Sequence, residues 1–485
     1  MYPGEEQLSF HLERPLGRGH MPAGAITGAA GGAACGDLVR VSLALERRDG
    51  EVVIGDAGFD AAGCGAAIAA GSAAVSLLRG ATLLDAALLG TAHIAEELGG
   101  LSPSKRHAAE LACDAMHRAL GAAARSCPPL EPSGRRSLVA MSGGVDSAVA
   151  ALLVRSEGSE AVAVTLELWS DPEGDGELSC CSAQAVRGAR ELAHELGIPH
   201  FSIDLREEFR AGVVDGWLQA HREGLTPNPC VACNGHVRLD AMLELADRLG
   251  ARTLATGHYA RVGEEGLLRV ATDGRKDQSY VLSALSAESL ARMRFPLGAM
   301  EKTEVRELAG RAGLAVARKR DSQDLCFLAG IGQERFLERH AGLGRTPGSV
   351  RGLDGVELGE HPGRHLLTVG QRHGLGVCGP GPLYVLHTDT ASNTVTVGPR
   401  ERLLTDELPL RELTLLREGG RVDRVRVRAH GRLHPCRLEG SPSPGDHPGG
   451  LVRLERSMER TAPGQVACLY DGEHVVGHAK IAASR

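Results

Sequence analysis

The sequence predicts a multi-domain chain in four parts: a Gly/Ala-rich N-terminal region that closes in helices, an α/β unit on a parallel sheet, a small connector that reads mostly as helix, and a C-terminal antiparallel β-barrel or small sandwich. Three observations predict this. From residue 137, hydrophobic runs of strand length alternate with helical segments, the pattern of strand–crossover–strand units. From about Leu366, short strands are punctuated by Gly and Pro. Between the first two parts, RSCPPLEPSGRR (125–136) carries Pro128, Pro129 and Pro132 and has no periodicity, so it reads as a linker. The expected boundaries are 1–125, a linker at 126–136, then 137–290, 291–365 and 366–485. At about 150 residues per domain, length alone suggests about three domains; the pattern adds a fourth.

The N-terminal region is rich in Gly and Ala, as in GAITGAAGGAACGD and AAGCGAAIAAGSAA, and closes with helical patterns at 72–89 and 104–120. In the second part SLVAM (137–141), EAVAVTLELW (160–169), PHFSIDL (199–205) and ARTLATGHYARV (251–262) read as strands, and SAVAALLVRSEG and SAQAVRGARELAHELG as helices. Residues 283–345 read mostly as helix. The last part gives LYVLHTD, NTVTVGP, RVDRVRVRAHGRLHPCRLE and GQVACLYDGEHVVGHAKI. There, Arg424, Arg426 and Arg428 alternate along one strand and so share a face, either a polyanion groove or a solvated edge.

Composition narrows the function classes. Hydrophobic residues make up 42% of the 485, which excludes wholesale disorder, whereas aromatics are only 3% against 64 Gly, so cores must be built from Ala, Leu and Val. No apolar run reaches the length of a membrane span, and MYPGEEQLSFHLERP lacks a basic start and an apolar core, so a cytoplasmic protein with no membrane partner is expected. In that reducing compartment the 12 Cys are inert thiols or chemical groups, not a disulfide framework. The net charge of −7 argues against a nonspecific nucleic-acid coat without excluding a local basic groove; residues 1–130 carry −4 and residues 401–485 carry +2.

The most specific motif is Ser142-Gly143-Gly144-Val145-Asp146-Ser147, between a hydrophobic strand and a helix. Two glycines allow a tight turn that offers N–H groups to an anion, and the helix adds its N-terminal dipole and the Ser147 hydroxyl. Asp146 suits a polyanion site only if a cation mediates, which predicts Mg²⁺. The Gly-Lys-Ser/Thr ending of a Walker A loop is absent. The motif resembles the SGGxDS loop of the PP-loop ATP pyrophosphatases, which adenylate a substrate at the expense of ATP.

Thr226-Pro227-Asn228-Pro229-Cys230-Val231-Ala232-Cys233-Asn234 places two thiols within reach of each other, ahead of a helix expected near His236, whose N-terminus would favour thiolates. Cys326 lies in KRDSQDLCF (319–327), where basic neighbours would also favour a thiolate. Read with ATGHYAR (255–261), KDQSYVL (276–282) and TVGQRHGLG (368–376), these motifs resemble, in order over about residues 136–485, the MnmA-type tRNA 2-thiouridylases.

That resemblance implies ATP-dependent 2-thiolation of the wobble uridine of tRNA: adenylation of uridine O2, then replacement by sulfur from a cysteine desulfurase or sulfur carrier. It implies an ATP site of Ala140, Met141, Ser142 to Ser147, Leu166 and Gly257, with Leu166 where methionine is common. Cys233 matches the nucleophile and Cys326 the persulfide carrier. Asn228, Pro229 and position 230 would hold the target base, and His258, Lys276, Asp277, Gln278, Arg428 and Gln465 match tRNA contacts, with Ala429 where a tyrosine is common. Cys230 departs from the family's frequent aspartate. Three cysteines, Cys230, Cys233 and Cys326, could then hold a 4Fe-4S cluster with one open iron that delivers sulfide. A persulfide relay ending in a Cys233–Cys326 disulfide is the alternative, and structural zinc a third, lacking an obvious fourth ligand. Cys180 and Cys181 read as extra redox thiols or spectators.

The first 120 residues, through Cys35-Gly36-Asp37, Gly63-Cys64-Gly65 and Lys105-Arg106-His107, resemble the IscU/NifU-type Fe–S scaffolds, which implies an α+β domain. Cys35, Asp37, Cys64 and His107 match that family's ligands for a cluster or zinc, while Ala108 stands where its third cysteine would be. Cys113, five residues on, falls on another face of a helix. The domain could dock a sulfur donor, pass on a cluster, or be an inert Ala/Gly-rich fold. Two further functions compete for the whole chain: a PP-loop ligase or amidotransferase acting on a small metabolite, opposed by the barrel and the cysteine triplet, and a non-enzymatic Fe–S carrier, opposed by the intact SGGVDS.

Overall fold

The computed structural model describes residues 5–31, 36–170, 182–319, 325–379 and 381–483. The N-terminal part is an antiparallel sheet in the order β1 (Ile26–Gly31), β2 (Leu38–Arg48), β3 (Glu51–Ala62), covered by helices Gly65–Leu78 and Arg106–Ser126. Its small residues permit close approach. A Cβ on Gly28 would lie 2.4 Å from the Ala115 carbonyl oxygen and 2.2 Å from the Ala119 nitrogen, so β1 lies directly on the long helix. The helix expected at 72–89 starts earlier and ends at Leu78, because Gly80 turns the chain with φ +80° and Thr82 caps a separate short helix, Leu83–Ala86. The one expected at 104–120 runs instead over Arg106–Ser126.

The proline-rich segment is bonded into the fold. Leu130 N–H donates to Arg248 O at 2.7 Å, Ser133 N–H to Gly250 O at 2.9 Å, and Arg47 to Pro129 O at 2.8 Å. Its last residues already belong to the strand β4 (Ser133–Ala140).

The second part is an all-parallel sheet of β4, β5 (Glu160–Glu167), β6 (His200–Asp204), β7 (Ala251–Ala255) and the later β10 (Met293–Arg294), in the order β10-β7-β4-β5-β6. Helices Val145–Ser156 and Ala183–Glu195 make the crossovers on one side of β4. The chain then returns to the other side, so the strand order reverses between β4 and β7, and a crevice opens beyond their carboxyl ends. The strand expected over 251–262 breaks there: β7 stops at Ala255, and the hairpin β8 (Arg261–Val262) and β9 (Leu268–Arg269) joins a different sheet.

The stretch 283–345 is less helical than its pattern predicts. Among its described residues it holds Ala287–Arg292, β10, Lys302–Arg311, a 3-10 turn at Ala315–Arg318 and Gln333–Ala341. Strands also begin before Leu366: β11 (Gly348–Arg351), β12 (Glu357–His361), β13 (Tyr384–Asp389) and β14 (Thr394–Gly398) form a separate four-stranded sheet. Barrel rather than sandwich is the outcome for the last part. β15 (Leu404–Leu415), β18 (Gly445–Glu459), β17 (His434–Leu438), β16 (Arg424–Arg426), β19 (Val466–Asp471) and β20 (His474–Ile481) form a ring that β20 closes by pairing again with β15. Closure removes both edges. No helix among the described residues is long and apolar enough to cross a membrane.

The long N-terminal helix packs on β6, the edge of the parallel sheet, and its apolar face merges with the core of the second part. A Cβ on Gly121 would lie 1.8 Å from Ser202 O. Asp114 on this helix pairs with Arg187 and Arg190 of the crossover helix Ala183–Glu195.

Candidate active site and a second ligand cluster

The Ser142–Ser147 turn occupies the crevice at the strand-order reversal. Gly143 has φ +68°, which lets the chain turn from β4 into the helix Val145–Ser156. Ser147 Oγ braces the turn, accepting from Ser142 N at 3.1 Å and donating to Gly144 O at 3.0 Å. Ala140, Met141, Val145 and Leu166 are buried around it. Gly257 closes the other side: a Cβ there would lie 2.7 Å from both Asp146 C and Ser147 N, so only glycine permits this approach. The structure thus brings the expected ATP-site residues of β4, its turn and the end of β7 into one crevice.

Asp146 has partners that the motif did not reveal. Lys302 Nζ lies 2.7 Å from each of its carboxylate oxygens, and Tyr259 OH donates to Oδ1 at 2.9 Å. Lys319 Nζ donates to Gly143 O at 2.9 Å. Neither lysine sits in a glycine-rich motif; the only signal was that both follow the sheet and no lysine occurs within SGGVDS. The oxygen donors of Asp146, with those of a phosphate, suit Mg²⁺.

The cysteine motif lies in the first turn of a helix and not ahead of one. Helix Pro229–Cys233 continues through a π-helical turn, Asn234–Arg238, into Leu239–Arg248. Pro229 takes the position where a missing N–H costs nothing, and Asn228 Oδ1 caps Cys230 N at 3.0 Å. The expected thiolate bias fails at Cys230: burial pushes its thiol up, outweighing the Arg238 charge. Cys233 is buried, and Cys326 is half-buried against the same hydrophobic core. Phe327 anchors the Cys326 segment with ring centroids 5.2 Å from Trp217, 5.2 Å from Phe336, 6.0 Å from Phe209 and 6.5 Å from Trp169. The ligand atoms of Cys230, Cys233 and Cys326 do not gather within 4.8 Å of one another, the spacing one zinc ion would need. Cys233 and Cys326 share that core and Cys230 lies in the same helical turn as Cys233, so the donor type of an iron–sulfur site is retained.

The expected RNA-contact residues separate into two groups. Arg428 is exposed, and Lys276, Gln278, His258 and Gln465 are partly so. Burial lowers the His258 pKa to about 3, with Arg238 adding to it, so this ring is neutral. Asp277 and Arg426 are instead buried against each other as an ion pair, and Asp277 also accepts from Ala271 N at 2.9 Å and Ser279 Oγ at 2.8 Å. This corrects two expectations: Asp277 is not presented to a ligand, and Arg426 does not share an open face with Arg424 and Arg428. KDQSYVL instead docks the barrel, with Tyr280 OH donating to Val466 O at 2.9 Å and Ser279 Oγ 3.1 Å from Tyr470 OH. The barrel also holds the approach to the cysteines: Gln465 Nε2 donates to Thr226 O at 2.8 Å, and Thr226 N to Pro463 O at 2.9 Å.

A second cluster lies in the N-terminal part. Asp37, Cys64 and His107 have ligand atoms within 4.8 Å of one another. Asp37 accepts from Cys64 N and Cys64 Sγ, both at 3.1 Å, and these bonds hold its carboxyl below the usual range. His107 Nδ1 is 2.9 Å from Ser104 O, which orients the ring. Ala108 is fully buried, and Cys113 is a fully buried thiol pushed up by desolvation and is not part of the set. Cys35, Cys180 and Cys181 lie outside the described residues.

Comparison with known proteins divides the chain similarly. Residues 5–125 match the NifU-like N terminal domain, 135–330 the tRNA methyl transferase HUP domain, 334–399 the tRNA methyl transferase PRC-barrel domain and 417–481 the aminomethyltransferase beta-barrel domain. The chain is 44% identical to the bifunctional protein NifU/MnmA of Rubrobacter xylanophilus, over 97% of each chain. It is 40% identical to the tRNA-specific 2-thiouridylase MnmA of Geobacter metallireducens (72% of this chain, 96% of that one) and 41% identical to that of Chloroflexus aurantiacus (71% and 98%).

Proposed function

Because the chain belongs to the family of bifunctional NifU/MnmA proteins, we propose that it is a tRNA sulfurtransferase that uses ATP to replace O2 of the wobble uridine by sulfur. The observation that carries this reading is the close approach of Gly257 to Asp146 and Ser147, which joins two separated motifs at one crevice where the strand order reverses. There the Ser142–Ser147 backbone and helix N-terminus bind phosphate, and Asp146 is the carboxylate that would hold Mg²⁺. Uridine O2 attacks the α-phosphorus and pyrophosphate leaves. Sulfur then adds to C2, and AMP departs with the former O2.

Asn228 and Pro229 shape the place of the target base beside Cys230. Lys276, Gln278, Arg428 and Gln465 face the tRNA; neutral His258 offers a hydrogen bond and no charge. Asp277 acts at one remove, by holding the barrel through Arg426. Cys230, Cys233 and Cys326 are the sulfur-handling groups. A 4Fe-4S cluster on these thiolates would leave one iron to supply sulfide. The second reading is a relay: the outer sulfur of a Cys326 persulfide attacks C2, Cys233 displaces it from Cys326, and a Cys233–Cys326 disulfide is left to be reduced by an external thiol. The sulfur comes from a cysteine desulfurase or carrier that docks at the NifU-like part, where Asp37, Cys64 and His107 form the receiving site.

Loss of 2-thiouridine from the wobble position in cells lacking the protein is the expected result; its persistence removes the reading. Iron and sulfide, measured on anaerobically purified protein, separate the two sulfur routes. The cluster requires about four irons per chain and their loss in Cys230→Asp. Activity of that variant without iron establishes the relay.

A further inference from the structure

The phosphate turn is already occupied by a cation of the protein's own. Lys302 begins the helix Lys302–Arg311, 156 residues along the chain from Asp146, and its helix packs on the one that follows the turn. Its backbone N–H donates to Asp273 Oδ2 at 3.1 Å, which fixes the root of the side chain. Its ammonium lies symmetrically on the two oxygens of Asp146, with its side chain 11% exposed and that of Asp146 30% exposed. Tyr259 supplies a further hydrogen bond to the same carboxylate, and Lys302 lies 5.8 Å from the centre of its ring.

We propose that Lys302 is a nucleotide-binding residue, held on Asp146 before the nucleotide binds and transferred to the phosphates when the metal–nucleotide complex enters. An unpartnered carboxylate in an anion-binding turn would repel the ligand it serves. Lys302 neutralises that charge until the nucleotide arrives. A divalent ion is a stronger partner for a carboxylate than an ammonium, so Mg²⁺ arriving with the nucleotide takes Asp146. The displaced ammonium remains next to the Ser142–Ser147 turn, where the phosphates lie, and lysine binds phosphate as a point charge. Every charge is paired before and after: one carboxylate–ammonium contact becomes a carboxylate–metal and an ammonium–phosphate contact. The lysine that a Walker A loop carries within itself is thus supplied by a distant helix.

The inference rests on the nucleotide reading of this site, and binding to the full-length protein tests both without turnover. Calorimetry would follow ATP with Mg²⁺ and ATP with a chelator, and paramagnetic resonance would follow Mn²⁺ alone. Lys302→Met should weaken Mg²⁺–ATP at least tenfold while tightening Mn²⁺ alone, because Asp146 has lost its competitor; Lys302→Arg should recover much of the nucleotide affinity. The near-isosteric Asp146→Asn removes the carboxylate that competes with phosphate for Lys302 and should bind metal-free ATP at least fivefold more tightly than the unaltered protein does. This second arm decides the matter if Lys302→Met fails to fold. Lys302→Met binding Mg²⁺–ATP within twofold of the unaltered protein, or Asp146→Asn gaining nothing for metal-free ATP, overturns the proposal while leaving the nucleotide site standing. An unaltered protein that does not bind Mg²⁺–ATP overturns both.

Discussion

Gly257 and Asp277 show how differently two residues from recognisable motifs can work. A methyl group at Gly257 would collide with backbone, which cannot move aside as a flexible side chain can. Gly257→Ala should therefore lower ATP affinity at least tenfold in calorimetry while leaving the circular dichroism of the chain unchanged. Asp277 sits in a similarly polar motif, yet its carboxylate is spent on Arg426, Ser279 and Ala271. Removing one member of a buried, hydrogen-bonded pair typically costs about 3–5 kcal/mol. Asp277→Ala should thus lower the unfolding free energy from urea titration by that order, with tRNA affinity changing only as the barrel loosens. The glycine turn was legible because its chemistry is local. Asp277 was misread because a polar run looks the same whether it meets a ligand or another domain, and Lys302 was missed because its partner is so far away in the chain.

At the scale of elements, the segment carrying Cys326 is held by an aromatic cluster drawn from four separated stretches. The chain has only 2 Trp and 7 Phe. Both tryptophans and Phe209, Phe327 and Phe336 meet here. Phe327→Ala should cost about 3–5 kcal/mol, red-shift the tryptophan emission and slow sulfur transfer more than ATP binding. If emission and transfer rate both stay unchanged, the cluster does not hold Cys326. Strand and helix alternation was legible because periodicity is written in neighbouring residues. The early start of the cysteine helix was not, since Pro227 and Pro229 read as a stiff approach although Pro229 serves as the first helical residue.

At the scale of the whole molecule, the N-terminal and α/β parts are joined across a surface that holds His117, His194 and His200, with Arg190 and Asp114 beside them. Burial lowers all three histidine pKa values, to about 4 at His194. Their folded pKa values are depressed, so the unfolded chain takes up protons first as pH falls. Stability should be full above pH 6.5 and fall below it, towards pH 4 for His194. Urea midpoints at pH 7.5 and pH 5.5 should show the drop, and His200→Gln should reduce it. Nothing in the sequence announced this surface: its members are single residues in helices and a strand, and the proline-rich segment between the parts looked like a loose tether. Removing residues 1–125 should expose the apolar flank of β6 and yield aggregated protein on gel filtration, whatever the supply of sulfur.

The seating of Gly121 against Ser202 O has a consequence for whether the two parts can live apart. Two modules on a slack tether can be separated by a break in the gene and still serve as partners. Here the helix of one is the lid on the sheet edge of the other, so a split would leave each half with an uncovered oily wound. The two parts thus stand to each other as halves of one core, and chains 1–125 and 126–485 expressed separately should stay in solution only when made together.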